Sequence, residues 1–587
     1  MPPEPGPATG RARWLLGLAA VSVAFAAADT YVVVLALPEM MASVGIPLDQ
    51  LQRAAPIVSG FLLGYVAMLP LIGRIADLRG RVPVLVAALV LFSLGSLVTA
   101  LAYDLPSLVT GRFLQGVGGG GLVPATLALV ADLYPAERRG VPLGVVSAVQ
   151  ELGSVLGPLF GAVVVAYADW RVIFAINLAV GLVLAAALAR IGRDAGSPRA
   201  RGVPDLLGLA LLLVALVAGA LTMLQPPDLL RDLTWGQLFI PFVGDGRWLS
   251  PIGVVAVGAA IAFVVRCLTA AHPVSDLRGW AATARRADLV GALLLAVALA
   301  GVILAFATAD PQVQVFSERG PWYLLASVVA TAGLVWHLRR AASPLVPHRA
   351  MARTPAWGSL AVSFFVGAAL IAALIDIPIF ARTTIYGDSQ LSAALVLLRL
   401  LVALPVGAVA GGYLTRRFPA GVVTAAGMAC TTVSFVLMSR WDVTALEHAS
   451  ATWPLLLGGL GFGLALAPVN AAVLASTDDA VHGLASALVV VARMVGMLVG
   501  ISALTAIGLR RYYAEQADLP PVREVCDGSS RCSEFTDLLR VAGIAQEHTV
   551  FLGAAVCAAV AGVLALVLFR GAQTRGLAAG ELLRAGG

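Results

Sequence analysis

Lysine is absent from this chain, and charged residues of every kind are scarce. All 39 basic residues are arginine, and only 12% of the 587 residues are charged. A phosphate-binding P-loop needs its lysine and Schiff-base chemistry needs one as well, so both are excluded. An ordinary soluble domain has roughly 25% charged residues. A chain of this length with so few charges cannot cover itself with a water-facing surface, which excludes a soluble globular enzyme.

Residues that bind metals are also few and scattered. The 6 histidines show no spacing typical of a ligand set, so the sequence predicts no metal site. Among the 5 cysteines, Cys526 and Cys532 lie close together in a polar segment that we expect outside the membrane. An oxidising compartment would allow them to form a disulfide, and two unpaired loop thiols are the alternative.

Long apolar runs make up most of the chain. It is 59% hydrophobic with a mean hydropathy of +0.92. About sixteen apolar segments of about 22 residues would account for roughly 60% of its length. The sequence therefore predicts an all-α polytopic membrane protein. We expect two six-helix bundles around a four-helix insertion, with boundaries at 1–194, 195–353 and 354–587 and an outer polar loop at 510–546.

The arginines fall mainly in the loops on one side of the predicted spans. That side carries a cluster after the second span, a pair after the fourth and further groups around the middle block, whereas the opposite loops are poorer. Positively charged loops stay in the cytoplasm, so both termini are expected there. The arginines therefore set the topology, and the net charge of +6 is not a nucleic-acid footprint.

The middle block contains an internal repeat. The segment Val203-Pro-Asp205-Leu-Leu-Gly resembles the segment Arg286-Ala-Asp288-Leu-Val-Gly. Each copy leads a span, an outer loop and a return span. We interpret the block as a duplicated helical hairpin, and chance similarity between Leu/Ala-rich helices is the alternative.

A glycine- and arginine-rich loop follows the second span and reads Gly73-Arg-Ile-Ala-Asp77-Leu-Arg79-Gly80-Arg81. Glycine allows close approach of helices, and an aspartate among arginines can join two helix ends through charge-assisted hydrogen bonds. A generic basic loop explains the arginines but not this spacing. The spacing strongly resembles the signature loop of the major facilitator superfamily. Its second-half counterpart, Gly411 to Arg417, lacks the aspartate.

Motifs on other spans resemble the drug:proton antiporter branch of that superfamily, which has extra linker helices. They are Asp29-Thr30 with Ala36-Leu37-Pro38, Gly111-Arg112-Phe-Leu-Gln115-Gly116, Gly153-Ser-Val-Leu-Gly157-Pro158, and Asp169-Trp170-Arg171 followed by Phe174 and Asn177. The resemblance implies a secondary transporter that uses a proton gradient and no cofactor. Gly153, Gly157 and Pro158 would allow the fifth span to pack closely and bend as two halves rock about a central site, and a plain packing role is the alternative.

Charged residues inside the predicted spans are the candidate coupling residues, because a charge at mid-bilayer costs at least about 2.5–3.5 kcal/mol. At 1.5 Å per residue, Asp29 and Arg112 fall at similar depths near the outer third and could pair. Proton-linked switching and a static buried bridge are both compatible with such a pair. Asp376 lies near the outer end of its span, so we expect it at the mouth.

A second candidate pair lies near the midplane. Glu151 is about 15 Å into the fifth span, and Arg493 is about 16 Å into the eleventh span of the two bundles. Arg399 falls at a comparable level on a neighbouring C-terminal helix. Opposite charges on the two halves could form a lock whose strength depends on protonation of the acid. Static bridges that fix the packing are again the alternative.

Several stretches resemble the mycobacterial exporters of triacylglycerides and lipoglycans in more detail. They surround Asp29, Pro47, Glu151 and Arg493. The resemblance implies that Asp29, Glu151 and Arg493 are functional charges beside a lipid-accepting cavity. It also implies a periplasmic lipoprotein partner of the LprG type and outward extensions of the last spans. The sequence departs from that pattern in two places. The middle block has an extra helical hairpin, and the outer loop 439–452 is short for the extracellular β-hairpin of that group.

The sequence therefore predicts a proton-coupled exporter of lipids or lipid-like amphiphiles in an actinobacterial-type plasma membrane, acting as a monomer. A multidrug:proton antiporter with the same fold and charges is the alternative. A lipid carrier needs a lateral opening and an apolar lining, whereas a cationic-drug pump needs more accessible acids. A membrane-embedded lipid-modifying enzyme is a third class, disfavoured because the sequence shows no nucleophile–base or metal constellation.

Overall fold

The computed structural model describes residues 10–46, 51–135, 138–192, 205–307, 319–341, 344–347, 351–386, 390–526, 532–572 and 574. Within them, 14 helices are long and apolar enough to cross a membrane, and the bent pair Leu277–Arg286 and Leu289–Ala305 raises the count to 15. A further long helix contributes only Gly140–Gln150 to that test. The chain is a multi-pass helical membrane protein, and the prediction of about sixteen spans is confirmed.

The helices form two six-helix groups separated by a linker. The first group comprises α1 (Gly10–Ser43), α2 (Leu51–Arg79), α3 (Arg81–Ala100), α4 (Leu105–Leu133), α5 (Gly140–Tyr167) and α6 (Arg171–Gly192). The linker comprises α7 (Leu206–Leu224), α8 (Pro251–Thr269), a linker helix (Leu277–Arg286), α9 (Leu289–Ala307) and α10 (Gly320–Arg340). The last group comprises α11 (Thr354–Thr384), α12 (Gln390–Leu414), α13 (Ala420–Met438), α14 (Thr452–Ala475), α15 (His482–Ala517) and α16 (Ser533–Leu568). Short helical segments lie at Pro227–Arg231, Gly236–Phe239, Arg247–Leu249, Ala445–Glu447, Ala449–Ala451, Asp479–Val481 and Val522–Val525.

The two six-helix groups pack in the same way. In the first, α1 packs on α5, α4 on both α2 and α3, and α3 on α6. In the last, α11 packs on α15, α14 on both α12 and α13, and α13 on α16. Each helix of the first group, α1 to α6, therefore has its counterpart in the last group, α11 to α16, in the same order. This internal repeat of two bundles is the architecture that the sequence predicted.

Capping side chains set where several helices begin. Asp104 Oδ1 accepts a hydrogen bond from the Ser107 N–H at 2.9 Å, and Ser107 Oγ accepts one from the Asp104 N–H, which makes a capping box at the start of α4. Such caps satisfy backbone N–H groups that have no partner inside the helix. Asp205 and Ser250 cap α7 and α8 in a similar way.

The two linker hairpins share one stabilising arrangement. Asp205 accepts a hydrogen bond from Gly208 and pairs with Arg266 of α8 at 3.0 Å. In the second hairpin, Asp288 accepts from Gly291 and contacts His337 of α10 at 2.7 Å. In each case an aspartate caps the first helix and binds a basic residue on the return helix. This shared geometry favours duplication over chance similarity. The hairpins differ in position, because α9 packs against both α2 and α15, whereas α7 packs on α8.

The linker helix is attached to the end of α2 by Arg79 of the signature loop. Arg79 donates to Asp276 Oδ2 at 2.6 Å, and its guanidinium lies 4.5 Å from the ring centroid of Trp280. Asp276 also caps the linker helix by accepting from the Gly279 N–H at 2.9 Å. The linker helix is therefore bonded to the first bundle through Arg79 of the signature loop.

Replacing Asp276 with asparagine is expected to accelerate amide hydrogen exchange in the linker helix by up to about fivefold, because an exposed pair contributes under about 1 kcal/mol. Arg79 lowers the pKa of Asp276 through its hydrogen bond, and the Gly279 N–H adds to this. The contact is therefore present at neutral pH and is lost as the pH falls through that lowered pKa. Asp232→Asn is the control, because among the described residues the Asp232 carboxylate accepts hydrogen bonds only from the backbone N–H groups of Thr234 and Trp235. Equal exchange in both variants would contradict the role of Arg79.

The last two core helices are longer than a membrane requires. α15 and α16 have 36 residues each, which corresponds to about 54 Å against a hydrocarbon thickness of about 30 Å. Most of the predicted outer loop 510–546 is therefore helical, and this part of the prediction was wrong. Hydropathy marks only the part of a helix that lies in lipid, and polar residues such as Arg510 and Arg511 continue α15 beyond it. Helix extensions of the length that the resemblance implies are present, and their outward direction stays a prediction.

A disulfide closes the tip between these extensions. Cys526 and Cys532 are bonded, as the sequence suggested, while Cys267, Cys430 and Cys557 are free thiols. The other outer loop of interest, 439–451, contains two short 3-10 turns and no strand among its described residues. The absence of a β-hairpin there agrees with its short length.

Removing the disulfide by Cys526→Ser and Cys532→Ser is expected to destabilise the tip by about 2–4 kcal/mol, since the bond restricts the unfolded loop. Faster hydrogen exchange at the end of α15 and the start of α16 would show this. Cys430→Ser, which removes a free thiol on α13, is the matched control. Unchanged exchange at the tip would show that helix packing alone maintains the extensions.

Candidate functional site

A buried ion pair joins α1 to α4. Arg112 donates from Nη1 to Asp29 Oδ2 at 2.7 Å, and both side chains are only 1% exposed. The arginine-rich side, defined as the side at which α2 ends and α3 begins, lies more than half of α1 away from Asp29. The sequence placed these two residues at similar depth, and the structure brings them into contact.

Neutral side chains complete the hydrogen bonding of this pair. Gln115, one turn after Arg112, accepts from Arg112 Nη1 at 3.0 Å and donates to Asp29 Oδ1 at 3.4 Å. Asn177 of α6 also donates to Asp29 Oδ1. Gln115 reaches α3 as well, donating to Ser96 at 2.9 Å. We refer to Asp29, Arg112, Gln115 and Asn177 as the Asp29 cluster.

Aromatic rings cover the cation of the cluster. The Arg112 guanidinium lies 4.4 Å from the ring centroid of Phe61 and 5.8 Å from that of Phe174. Aromatic faces attract cations, most strongly where water is excluded. Arg112 Nε, by contrast, is buried without a hydrogen-bond partner among the described residues. A proton reaching Asp29 would remove the only carboxylate bonded to Arg112 in the described cluster, so the protonation state of Asp29 controls a large local energy.

The glycines of α5 fit against α1 next to the cluster. A Cβ on Gly153 would lie 2.7 Å from the Ala24 carbonyl carbon, and one on Gly157 would lie 3.0 Å from that of Ala28. Any side chain at either position would force the helices apart. Ala28 is adjacent to Asp29, so α5 packs directly on the helix that carries the buried acid.

The second predicted pair is described only in part. Glu151 and Pro158 lie on α5, but their side chains are outside the described residues, so the lock between Glu151 and Arg493 stays a prediction. Arg493 is buried on α15 beside a small cavity whose lining includes the polar residues Ser363 of α11 and Asn470 of α14. Arg399 donates to Thr452 Oγ1 at 3.1 Å, a contact within the second bundle.

The signature loop joins the two bundles on the arginine-rich side. Asp77 accepts hydrogen bonds from the N–H groups of Gly483 and Leu484 at 2.9 and 3.1 Å, so it caps the start of α15. Its carboxylate also pairs with Arg81 at 3.2 Å. An acid at a helix N-terminus satisfies free N–H groups and interacts favourably with the helix dipole. Gly80, which follows α2, has a φ of 95° and makes the turn into α3.

Paired glycines allow the backbones of the two bundles to touch. A Cβ on Gly73 of α2 would lie 2.6 Å from the carbonyl oxygen of Gly483. On the other side of the interface, a Cβ on Gly140 of α5 would meet the Gly412 carbonyl of α12. The contact between Gly140 and Gly412 has no aspartate comparable to Asp77, in agreement with the sequence. These contacts close the interface between the bundles on the arginine-rich side.

The remaining predicted site residue is Asp376 of α11. The structure buries its side chain, which is 6% exposed, within the helix bundle. No group of three or more His, Cys, Asp or Glu residues suited to a metal occurs in the described part of the chain. Sequence reasoning assigned no role to Gln115 or Asn177, although both stand in motifs that it singled out.

The fold and these contacts identify the class of protein. Residues 19–341 match the sequence profile of the Major Facilitator Superfamily, which is more than half of the chain. The chain belongs to this superfamily, and it is a transporter and not an enzyme. Its fold is similar to that of the human organic anion transporter MFSD10, with a TM-score of 0.54 at 13% identity over 94% of this chain and 99% of that chain.

Two relatives are similar over most of their length. The chain is 35% identical over 508 residues to a triacylglyceride transporter of Mycobacteroides abscessus, covering 85% of this chain and 82% of that protein. It is 32% identical over 575 residues to a probable triacylglyceride transporter of Mycobacterium leprae, covering 95% and 96% of the two chains.

Proposed function

We propose that this protein is a proton-coupled exporter of lipids or lipid-like amphiphiles of the triacylglyceride type, acting by alternating access in an actinobacterial-type plasma membrane. The single observation that carries the proposal is the buried Asp29–Arg112 pair in a chain similar along most of its length to triacylglyceride transporters. The relatives indicate the substrate class, and the ion pair contains the Asp29 carboxylate, whose charge a proton can neutralise.

Proton coupling is supported by the bonding of the Asp29 cluster. Two neutral donors, Gln115 and Asn177, can stay bonded to the acid whether or not it carries its charge, whereas the Arg112 interaction depends on that charge. Protonation of Asp29 would therefore release Arg112 while leaving the acid hydrogen-bonded. α4, which carries Arg112, also packs on α15 of the second bundle. A change at the cluster can thus reach the interface between the bundles.

Alternating access is supported by the position of the contacts between the bundles. The contacts of Gly73 with Gly483 and of Gly140 with Gly412 lie on the arginine-rich side, which we assign to the cytoplasm by the positive-inside rule. The arrangement described here is then closed toward the cytoplasm. Rocking of the two bundles would have to break the hydrogen bonds from Asp77 to the start of α15.

The extensions of α15 and α16 are our candidate path for lipid beyond the membrane. They pack side by side and project on the side opposite the closed contacts. The tyrosines Tyr512 and Tyr513 lie on the α15 extension, where amphipathic rings favour a membrane interface. We propose that this end passes lipid to a periplasmic lipoprotein of the LprG type.

The test reconstitutes the protein in vesicles, imposes a pH gradient, and follows labelled triacylglyceride and a cationic dye in parallel. Wild-type protein is expected to move the lipid, and Asp29→Asn and Glu151→Gln are each expected to abolish gradient-driven movement. Glu447→Gln, which neutralises an exposed acid in an outer loop, is the matched control and is expected to retain transport. Dye efflux without lipid movement would reject the lipid substrate in favour of a multidrug:proton antiporter. Lipid movement that is unchanged without the gradient would reject proton coupling.

A further inference from the structure

A second pair of acids lies inside the other bundle. Asp376 of α11 and Glu547 of α16 are 6% and 1% exposed. Neither belongs to the Asp29 cluster, and Glu547 immediately follows the predicted outer loop 510–546, at the start of the last predicted span. The motifs of the sequence do not include Glu547. Two buried acids on adjacent helices need a physical explanation, because burial of a charge without compensation is unfavourable.

The helix register places both acids at one level. Gly500 of α15 packs against Ala368 of α11, so Gly508, two turns further along, is level with Asp376. A Cβ on Gly508 would touch Val550 and Gln546, the residues that surround Glu547 on α16. The rings of Phe380 of α11 and Phe551 of α16 are 6.2 Å apart, so these two antiparallel helices are packed together in the region that contains the acids. α11, α15 and α16 therefore pack together in the region that contains the two acids.

The surroundings supply little positive charge. Glu547 Oε1 accepts a hydrogen bond from Gln546 at 3.2 Å, while Oε2 is buried with no partner among the described residues. Asp376 forms no hydrogen bond or ion pair with a described residue. The neighbouring His548 donates to the Trp441 carbonyl oxygen at 2.6 Å instead.

Among the described residues, no basic side chain forms an ion pair with either acid. Arg399 of α12, which packs on α11, donates to Thr452 Oγ1 at 3.1 Å, and Arg540 of α16 pairs with Asp537 at 3.1 Å. α13 contains no charged residue. The basic residues nearest to this level on α11, α15 and the loop after α13 have exposed side chains, and so has the acid of that loop: Arg382, Arg510, Arg511, Arg440 and Asp442. Of these, Arg511 pairs with Glu515. Both acids are therefore buried in neighbouring helices without an ion pair to a described cation.

We infer that Asp376 and Glu547 form a second proton-binding site, in which at least one of the two acids is protonated at neutral pH. Like charges in a dry site cannot both ionise without a large cost, and sharing a proton removes that cost. A protonated carboxyl would also supply an O–H donor in a site where the described partners leave Glu547 Oε2 unpaired.

The position of the site suggests what the proton does. It lies toward the side opposite the closed glycine contacts, where α11, α15 and α16 meet, and α15 also carries Arg493 and the Asp77-capped terminus. Ionising both acids requires water to enter this seam, whereas the protonated pair keeps it closed. This role in transport rests on the proposed function, but proton binding itself does not.

The test therefore examines proton binding without substrate. Infrared difference spectra of purified protein in lipid nanodiscs at about neutral pH would compare wild type with the D376N/E547Q double variant. The carbonyl stretch of a protonated carboxyl group is expected in wild type and absent from the variant. E534Q, which neutralises an exposed acid at the start of α16, is the matched control and is expected to keep the band. The inference would be overturned if the wild-type spectrum lacked this carboxyl band or if the double variant kept it. It would also be overturned if adding sodium ions removed the band, because the site would then bind sodium.

Thermal unfolding provides an independent measurement. Raising the pH ionises the pair in wild type and introduces repulsion, so the unfolding midpoint is expected to fall more in wild type than in the double variant. An equal decrease in both proteins would overturn the inference even if the variant folds poorly. If the wild-type protein shows the infrared band but moves no lipid in the vesicle assay, the proposed function would be contradicted and the proton-binding site would not.

Discussion

Replacing Arg112 with alanine is expected to abolish gradient-driven transport and to lower the free energy of unfolding by about 3–5 kcal/mol, the cost of leaving a buried charge without its partner. The effect is large because the pair is 1% exposed on both sides and the cluster bonds four helices together. Unfolding in mixed micelles and vesicle transport measure the two consequences separately.

Two variants make this prediction specific. The double variant Asp29→Asn with Arg112→Gln removes both charges, and we expect it to recover most of the stability but none of the transport. Arg540→Ala breaks an exposed pair with Asp537 on α16, and its effect on stability is expected to stay below about 1 kcal/mol. If Arg112→Ala were as stable as Arg540→Ala, the pair would not be the buried interaction described here.

Replacing Gly73 with leucine is expected to prevent closure on the arginine-rich side. Its Cβ would lie 2.6 Å from the Gly483 carbonyl oxygen and 3.1 Å from the Ala487 Cβ, neither of which can rotate away. Overpacking costs about 1–3 kcal/mol, which would shift the equilibrium away from the closed arrangement by roughly 5- to 150-fold. Spin labels at the exposed positions Leu78 and Asp479 would report a longer distance between the bundles.

Gly17→Leu on α1 is the matched control, because a Cβ at that position meets no atom within 4 Å. It is expected to leave the distance distribution and transport unchanged. A distribution for Gly73→Leu that matches the wild type would show that the glycine contact does not limit closure, and the hydrogen bonds of Asp77 would then have to hold the interface alone.

The sequence predicted the fold because apolar length and arginine placement are local signals. It also predicted the Asp29–Arg112 contact, because depth along a helix follows directly from residue number. It did not assign partners that depend on helix rotation. Gln115 and Asn177 face the acid only once α4 and α6 take their places, and Arg399 bonds Thr452 within its own bundle. These orientations come from packing, which no single motif contains.

Glu547 shows a different limit of sequence reasoning. A hydropathy window identifies the lipid-facing part of α16, and its polar beginning looks like loop, although the helix starts at Ser533. From the sequence alone, an acid at that boundary is therefore expected to be exposed to water. The helices that pack on α16, which are α11, α13 and α15, bury this acid only in the folded protein.

Alternating access, as proposed above, would require the linker to slide over one of the two bundles. Arg79 bonds the linker helix to α2, and α9 contacts both α2 and α15. If the bundles rock, the surface between α9 and α2 can stay fixed while the surface between α9 and α15 shears. We therefore expect a covalent bridge between α9 and α2 to leave transport unchanged, and one between α9 and α15 to block it.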